Sequence, residues 1–307
     1  MPITHFLEQK YPGEAYRKLY RDEIARVCNA FIDSGHADSK FQTELTSGSD
    51  SKFWSCISEA LIYQRVCNRT MLNRLKRGVG PDFLLTDGKR NIWVEVICPR
   101  PAGVHQEWLE INTNTAGSVP HEAILLRWTS AIKEKTEKLI GDTEGKVKGY
   151  LSTGIVSDED IYVIAINGCQ LRHGPFPALH GISQFPYAAE AVFPIGPFQI
   201  RIDRETLKSV GTGYQERYSI PKPNGSSVPS HAFLDPRYKM VSAIWAVDLN
   251  CATVIGNPEP SALIHNPNAA NPLPPGFLLA DDEFVATPGK NNDYTFARVG
   301  VTREGDG

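Results

Sequence analysis

The sequence lacks the surpluses that announce many functions. It has no excess of positive charge: the formal net charge is −3 over 307 residues. That excludes a cationic coat binding nucleic acid indiscriminately, while leaving room for a local basic patch. It has no long apolar run. The longest, Met240–Val247 with Ser242 inside it, falls far short of a bilayer span. The stretch MPITHFLEQKY carries no apolar segment of the secretory kind. A cytoplasmic protein with no membrane partner is therefore expected. Cysteine is sparse: Cys28, Cys56, Cys67, Cys98, Cys169 and Cys251 stand apart, with no C-x-x-C and no His-Cys cluster. They read as free thiols in a reducing compartment rather than as disulfides or zinc ligands. Also missing are G-x-x-x-x-G-K-[ST], a G-x-G-x-x-G after a strand, and H-E-x-x-H, so nucleotide-dependent and zinc-hydrolase chemistries have no motif behind them.

What is present centres on RGVGPDFLLTDGKRNIWVEVICPRP, Arg77 to Pro101. Two β-rich runs, Pro81–Thr86 and Ile92–Ile97, flank Asp87-Gly88-Lys89-Arg90, a strong local hairpin signal. Side chains alternate along a strand, so Trp93, Glu95 and Ile97 share one face and Ile92, Val94 and Val96 the other. Asp82, opening the first strand, and Glu95, inside the second, converge. Two adjacent carboxylates repel unless a divalent cation lies between them, and hard oxygen ligands suit Mg²⁺ or Mn²⁺.

The flanking chain supplies helices and a strand. Apolar residues at three- and four-residue steps predict a helix from Glu14 to about Ser34. A second, about Lys52 to Asn68 with Asp50 or Ser51 as N-cap, is apolar on two sides and carries Glu59. From Arg65 to Arg100 there are eight basic residues against three acids: a solvated face, or cations that neutralise phosphates. Pro99–Pro120 reads as loop. His121–Leu139 is the clearest helix, and Lys135 falls in the middle of its apolar stripe, where it must snorkel or meet an acid. Ile161–Asn167 is continuously apolar and suits a central strand, parallel to a hairpin strand across the helical crossover. Phe198–Ile202, Tyr214–Ile220 and Lys239–Asp248 read as strands of a later antiparallel layer. The segment from HNPNAANPLPPGF onward reads as a surface tail. Cys98 has no predictable histidine partner and reads as a core thiol rather than a nucleophile.

The order helix with Glu59, hairpin with Asp82 and Glu95, amphipathic helix, apolar strand resembles the PD-(D/E)xK nuclease superfamily, the restriction-endonuclease-like fold. The matching residues are Pro81-Asp82 and Glu95-Val96-Ile97, with Glu59 on the preceding helix, and the resemblance spans about residues 50–170. It implies a single α/β domain. A helical part (1–50) would lead into the nuclease-like core (51–170), a mixed central sheet flanked by helices. Extra antiparallel strands would form a β-rich C-terminal extension (171–307).

The resemblance further implies Mg²⁺-dependent (or Mn²⁺-dependent) endonuclease activity on nucleic acid, DNA before RNA, and admits a homodimer. Carried onto matching positions, Asp82, Glu95 and the backbone carbonyl of Val96 or Ile97 would hold one or two ions. Glu59 would complete the second ion's shell or hold a water, and Arg74, Lys76 and Arg77 would hold the nucleic-acid backbone. The sequence departs from the pattern at Ile97, where the family usually has a lysine that positions the attacking water. Three readings follow: the lysine has moved to Lys135; metal and carboxylates act alone; or the centre is inactive and the domain is a binding module for nucleic acid or protein.

Overall fold

The apolar runs of the sequence become the middle of one sheet. The computed structural model describes residues 1–13, 15–67, 71–73, 79–110, 118–173, 179–288 and 294–299. Helices α1 (Ile3–Lys10), α2 (Ala15–Asp33), α3 (Phe41–Leu45) and α4 (Asp50–Cys67) come first. Strands β1 (Met71–Asn73), β2 (Phe83–Thr86) and β3 (Asn91–Ile97) form an antiparallel meander. The short α5 (Gln106–Leu109) and the long α6 (His121–Ile140) then lead to β4 (Ile161–Asn167), which pairs parallel to β3. This is the crossover expected from the apolar run. The whole of β4 is buried because strands flank both its edges and helices cover both faces.

The alternation read from β3 sorts onto two cores. Ile92, Val94 and Val96 face a core built with α1 to α4, which includes Ile24, Phe31, Phe53 and Ile57. Trp93 faces the other core, where Ile124, Leu125, Trp128 and Ile132 of α6 pack against Tyr162 and Ile164 of β4. Helix α4 is apolar on two sides because it lies between its neighbouring helices and the sheet. It begins a little earlier than expected: the Lys52 N–H donates to Ser49 Oγ at 3.5 Å, so Ser49 rather than Asp50 or Ser51 is the capping residue.

Local polar groups lock the hairpin. Asp87 Oδ1 accepts the N–H groups of Lys89 (2.8 Å) and Arg90 (2.7 Å), and Gly88 sits at φ +86°, where a side chain would be strained. Asp160 ties β3 to the start of β4, accepting from Asn91 Nδ2 (3.1 Å), Trp93 Nε1 (2.8 Å) and the Ser157 N–H (2.9 Å).

The C-terminal half departs from the expectation. After α7 (Tyr187–Val192), β5 (Ile195–Ile202) and β6 (Ser209–Glu216) form a separate two-stranded hairpin, and β7 (Ser219–Pro221) and β8 (Ser227–Pro229) form another. Strand β9 (Ala243–Val247) does not join an antiparallel layer. It enters the central sheet parallel to β4, which its five consecutive buried residues reflect. The short α8 (Cys251–Val254) precedes β10 (Ser261–His265). The Pro/Asn-rich segment is not a surface tail throughout: Leu273 and Leu278 are buried, and β11 (Asp282–Pro288) and β12 (Tyr294–Val299) complete the sheet in the order β1-β2-β3-β4-β9-β10-β11-β12. The chain is thus α/β, with a mixed eight-stranded central sheet flanked by helices. No helix among the described residues is long and apolar enough to cross a membrane.

Candidate active site

Asp82 reaches its position through a glycine. Gly80 has φ +98°, and a Cβ there would come within 2.9 Å of Ile155 Cγ2, so the turn that delivers Pro81-Asp82 requires glycine. Phe83 pairs with Val94; one step further back, Asp82 lies across from Glu95. The Val96 N–H donates to Asp82 Oδ2 at 2.6 Å, fixing one carboxylate oxygen and leaving the other without a protein hydrogen bond.

Glu95 is 2% exposed and sits on the α6 side of the sheet. Its charge is met by the residue that stood out on the apolar stripe of α6. Lys135 Nζ donates to Glu95 Oε1 at 2.8 Å, and Lys138 Nζ, one helical turn on, donates to the same oxygen at 3.0 Å. Tyr150 OH lies a long 3.5 Å from Oε2. Lys135 is itself 6% exposed, so this is a buried ion pair and not a snorkelling lysine.

Glu59 reaches the same place from α4. The anchor is its neighbour Ser58. Asn167, at the end of β4, donates through Nδ2 to Ser58 Oγ (2.8 Å) and to the Leu249 carbonyl (2.9 Å), and its Oδ1 accepts the Leu249 N–H (2.9 Å). This fully satisfied buried amide pins α4, β4 and the end of β9 together. Glu59, Asp82, Val96, Ile97 and Lys135 then line one cavity of about 560 Å³. Helix α6 contributes a single stripe to its wall: Arg127, Ser130, Ala131, Glu134, Lys135 and Lys138.

The electrostatics of this cluster are unbalanced. Burial and the nearby Glu95 charge push Asp82 up to about 7, against the partial relief from Lys135 and the Val96 N–H. Burial, then the Asp82 carboxylate, holds Glu59 well above the usual carboxylate range. Carboxylates that resist ionisation in a solvent-reachable cavity are the donors that a divalent cation satisfies. Among the described residues no group of three or more His, Cys, Asp or Glu side chains forms a ready-made metal cage. The carboxylates that line the cavity are those of Glu59 and Asp82, hard oxygen donors of the type Mg²⁺ takes while keeping several waters.

Three of the residues singled out from sequence, Glu59, Asp82 and Lys135, line this cavity together with Ile97; Glu95 is not part of its lining and joins the cluster through its bond with Lys135. Arg74, Lys76 and Arg77 lie outside the described residues. Lys138 and Tyr150 escaped the sequence reading. The signal for Lys138 was its spacing of three from Lys135; Tyr150 comes from a loop and gave none. Cys98 also borders the cavity, and its Sγ lies 3.7 Å from Cys169 Sγ. Burial opposes ionisation of Cys98, but hydrogen bonds from Cys169, Ser58 and Gln170 outweigh it and lower its pKa. No hydrogen bond joins its thiol to a histidine among the described residues. Compared with known proteins, the chain matches no family model, no curated protein and no solved structure.

Proposed function

We propose that the chain is a Mg²⁺-dependent nuclease with a restriction-endonuclease-like core, hydrolysing phosphodiester bonds of nucleic acid, DNA before RNA, in the cytoplasm. One observation carries the reading. Lys135 stands 2.8 Å from Glu95 and lines the cavity that Asp82 and Glu59 also line, and in this reading it takes the part of the lysine missing at Ile97. The order α4, hairpin, α6, β4, with β4 returned parallel to β3, is the order the nuclease resemblance implies. The described cysteines are all unpaired, which suits a reducing compartment.

In this reading Asp82 and Glu95, with the backbone carbonyl of Val96 or Ile97, would hold the cation. A divalent ion supplies Lewis acidity there, acidifying water and polarising the phosphoryl group. Lys135 orients the attacking water and offers its ammonium to the negative charge that grows on the phosphoryl oxygens. Lys138 holds Glu95 in place from the open side. Glu59, on the opposite wall, holds water against the site.

One feature favours the alternative, an inactive nuclease-like module that binds nucleic acid or protein: both lysines already saturate Glu95 Oε1. Nicking of supercoiled plasmid with Mg²⁺ or Mn²⁺ separates the two. The nuclease reading expects nicked product from the wild type and none from Asp82→Ala or Lys135→Ala, with both variants folded by circular dichroism. Plasmid left intact by a folded wild type in both metals sinks it.

A further inference from the structure

The cavity at Asp82 is not closed at its α6 end. A second and much larger groove, about 1740 Å³, begins where it stops, and the two share Ala102, Arg127 and Ser130 as walls. Together they form one continuous trough along the flank of α6. The groove is part polar and part apolar, and half of its charged side chains are ion-paired. Arg217 donates to the buried Glu190 at 2.7 Å, Arg237 pairs with Asp235 at 2.7 Å, and Lys133 pairs with Glu137 at 3.5 Å.

Two cations, Arg127 and Lys222, and two acids, Glu107 and Glu122, have no ion pair among the described residues. Arg127, at the junction with the cavity, makes no ion pair or hydrogen bond among the described residues. Its Nε is buried without any partner. A buried guanidinium N–H with nothing to bond is costly, and an arginine so placed is a fork waiting for a planar or phosphoryl acceptor. Lys222, on the far wall, is exposed and forms no ion pair. A third unpaired cation, Arg100, lines the cavity itself. Trp108 and His173, both in the groove lining, stack at 4.6 Å between ring centroids and give it a flat aromatic surface.

We infer that this trough is the track of a phosphodiester chain. Arg127 holds the phosphate next to the one that enters the cavity, and Lys222 holds a phosphate further along. The inference rests on the nuclease reading for the role of the cavity. It adds the path of that polymer, which runs from the Asp82 site along α6 towards Lys222. A small phosphomonoester would fill the cavity and leave the groove and Lys222 unused.

The test is equilibrium binding of fluorescein-labelled DNA, single-stranded and duplex, followed by anisotropy in Ca²⁺ over a salt series. It compares wild type, Arg127→Ala, Arg127→Lys and Lys222→Ala, with thermal melts as the fold control. Each lost phosphate contact lowers the slope of log affinity against log salt by about 1. Arg127→Ala and Lys222→Ala are each expected to show that loss with about tenfold weaker binding at low salt. Arg127→Lys keeps the slope, because the charge remains. Lys222 is exposed, so its variant stays informative if Arg127→Ala melts early. Wild-type binding with slopes unchanged in both alanine variants overturns this track and leaves the proposed nuclease standing. No binding of either DNA by the folded wild type overturns the track and the nucleic-acid reading together.

Discussion

Replacing Asp82 by Asn should make the metal-free protein more stable at neutral pH. Asp82 ionises near 7 in the fold, against 3.8 for an ordinary aspartate. The fold therefore prefers its protonated form. Its favourable contribution is complete below pH 3.8, declines as pH rises from there to 7, and is gone above. Roughly three pKa steps at about 1.4 kcal/mol each, discounted for solvent in the cavity, give about 2–4 kcal/mol of penalty at pH 8. Asn removes the charge, yet its carbonyl oxygen still accepts the Val96 N–H that Asp82 Oδ2 accepts at 2.6 Å. Loss of the Asp82 charge also relieves Glu59, which that charge helps hold above the usual carboxylate range, and this acts in the same direction. Urea denaturation from pH 4 to 8 in chelator reads this directly. The wild type should lose about 2–4 kcal/mol across that window relative to Asp82→Asn, and the two should meet near pH 4. Equal stability at pH 8, or a less stable variant, refutes the charge-crowding argument. Added Mn²⁺ should raise the wild type and leave the variant unmoved.

Other perturbations follow from the same geometry. Glu95→Gln strands Lys135 without its carboxylate and should cost about 3–5 kcal/mol by denaturant unfolding, part of which Lys135→Met restores in the double variant. Buried Glu190 is held below the usual carboxylate range, despite the opposing effect of burial, by hydrogen bonds from His121 and Ser183. Its stabilising contribution is therefore present above about pH 4.5 and lost on acidification. Glu190→Gln should melt earlier than wild type at pH 7, and that gap should narrow below pH 4.5; a constant gap argues against the ionised form. Trp128→Ala, at a fully buried site on α6, should cost about 3–5 kcal/mol in unfolding free energy. Lys135→Ala should lower the nicking rate about 10²–10³-fold while DNA affinity in Ca²⁺ changes little; a parallel loss of both would assign Lys135 to binding.

The central strands were legible because their burial is written locally. Ile161–Asn167 runs apolar without a break and is β4 end to end. Asp87-Gly88 marked the hairpin turn, and the Asp87 side chain does the capping there. Lys135 stood out because a lysine on an apolar stripe needs an acid, and the acid is Glu95. What was illegible depends on distant pairing. Nothing within Lys239–Asp248 says that its partner is β4, or that it pairs parallel. The segments around Leu273 and Leu278 look like loop because proline and asparagine dominate them, yet both leucines are buried, and the chain then returns to the sheet as β11. The trough along α6 was equally hidden. Arg127 gave no sign in sequence, since its meaning lies in having no partner within reach.

The account stands on Asp82 and Glu95 being cation ligands at a centre completed by Lys135. Isothermal titration of Mn²⁺ into the folded wild type, with Asp82→Ala alongside, tests that most directly. The account predicts saturable binding of one or two ions that vanishes in the variant. A flat titration of the wild type, or equal binding by Asp82→Ala, would contradict it.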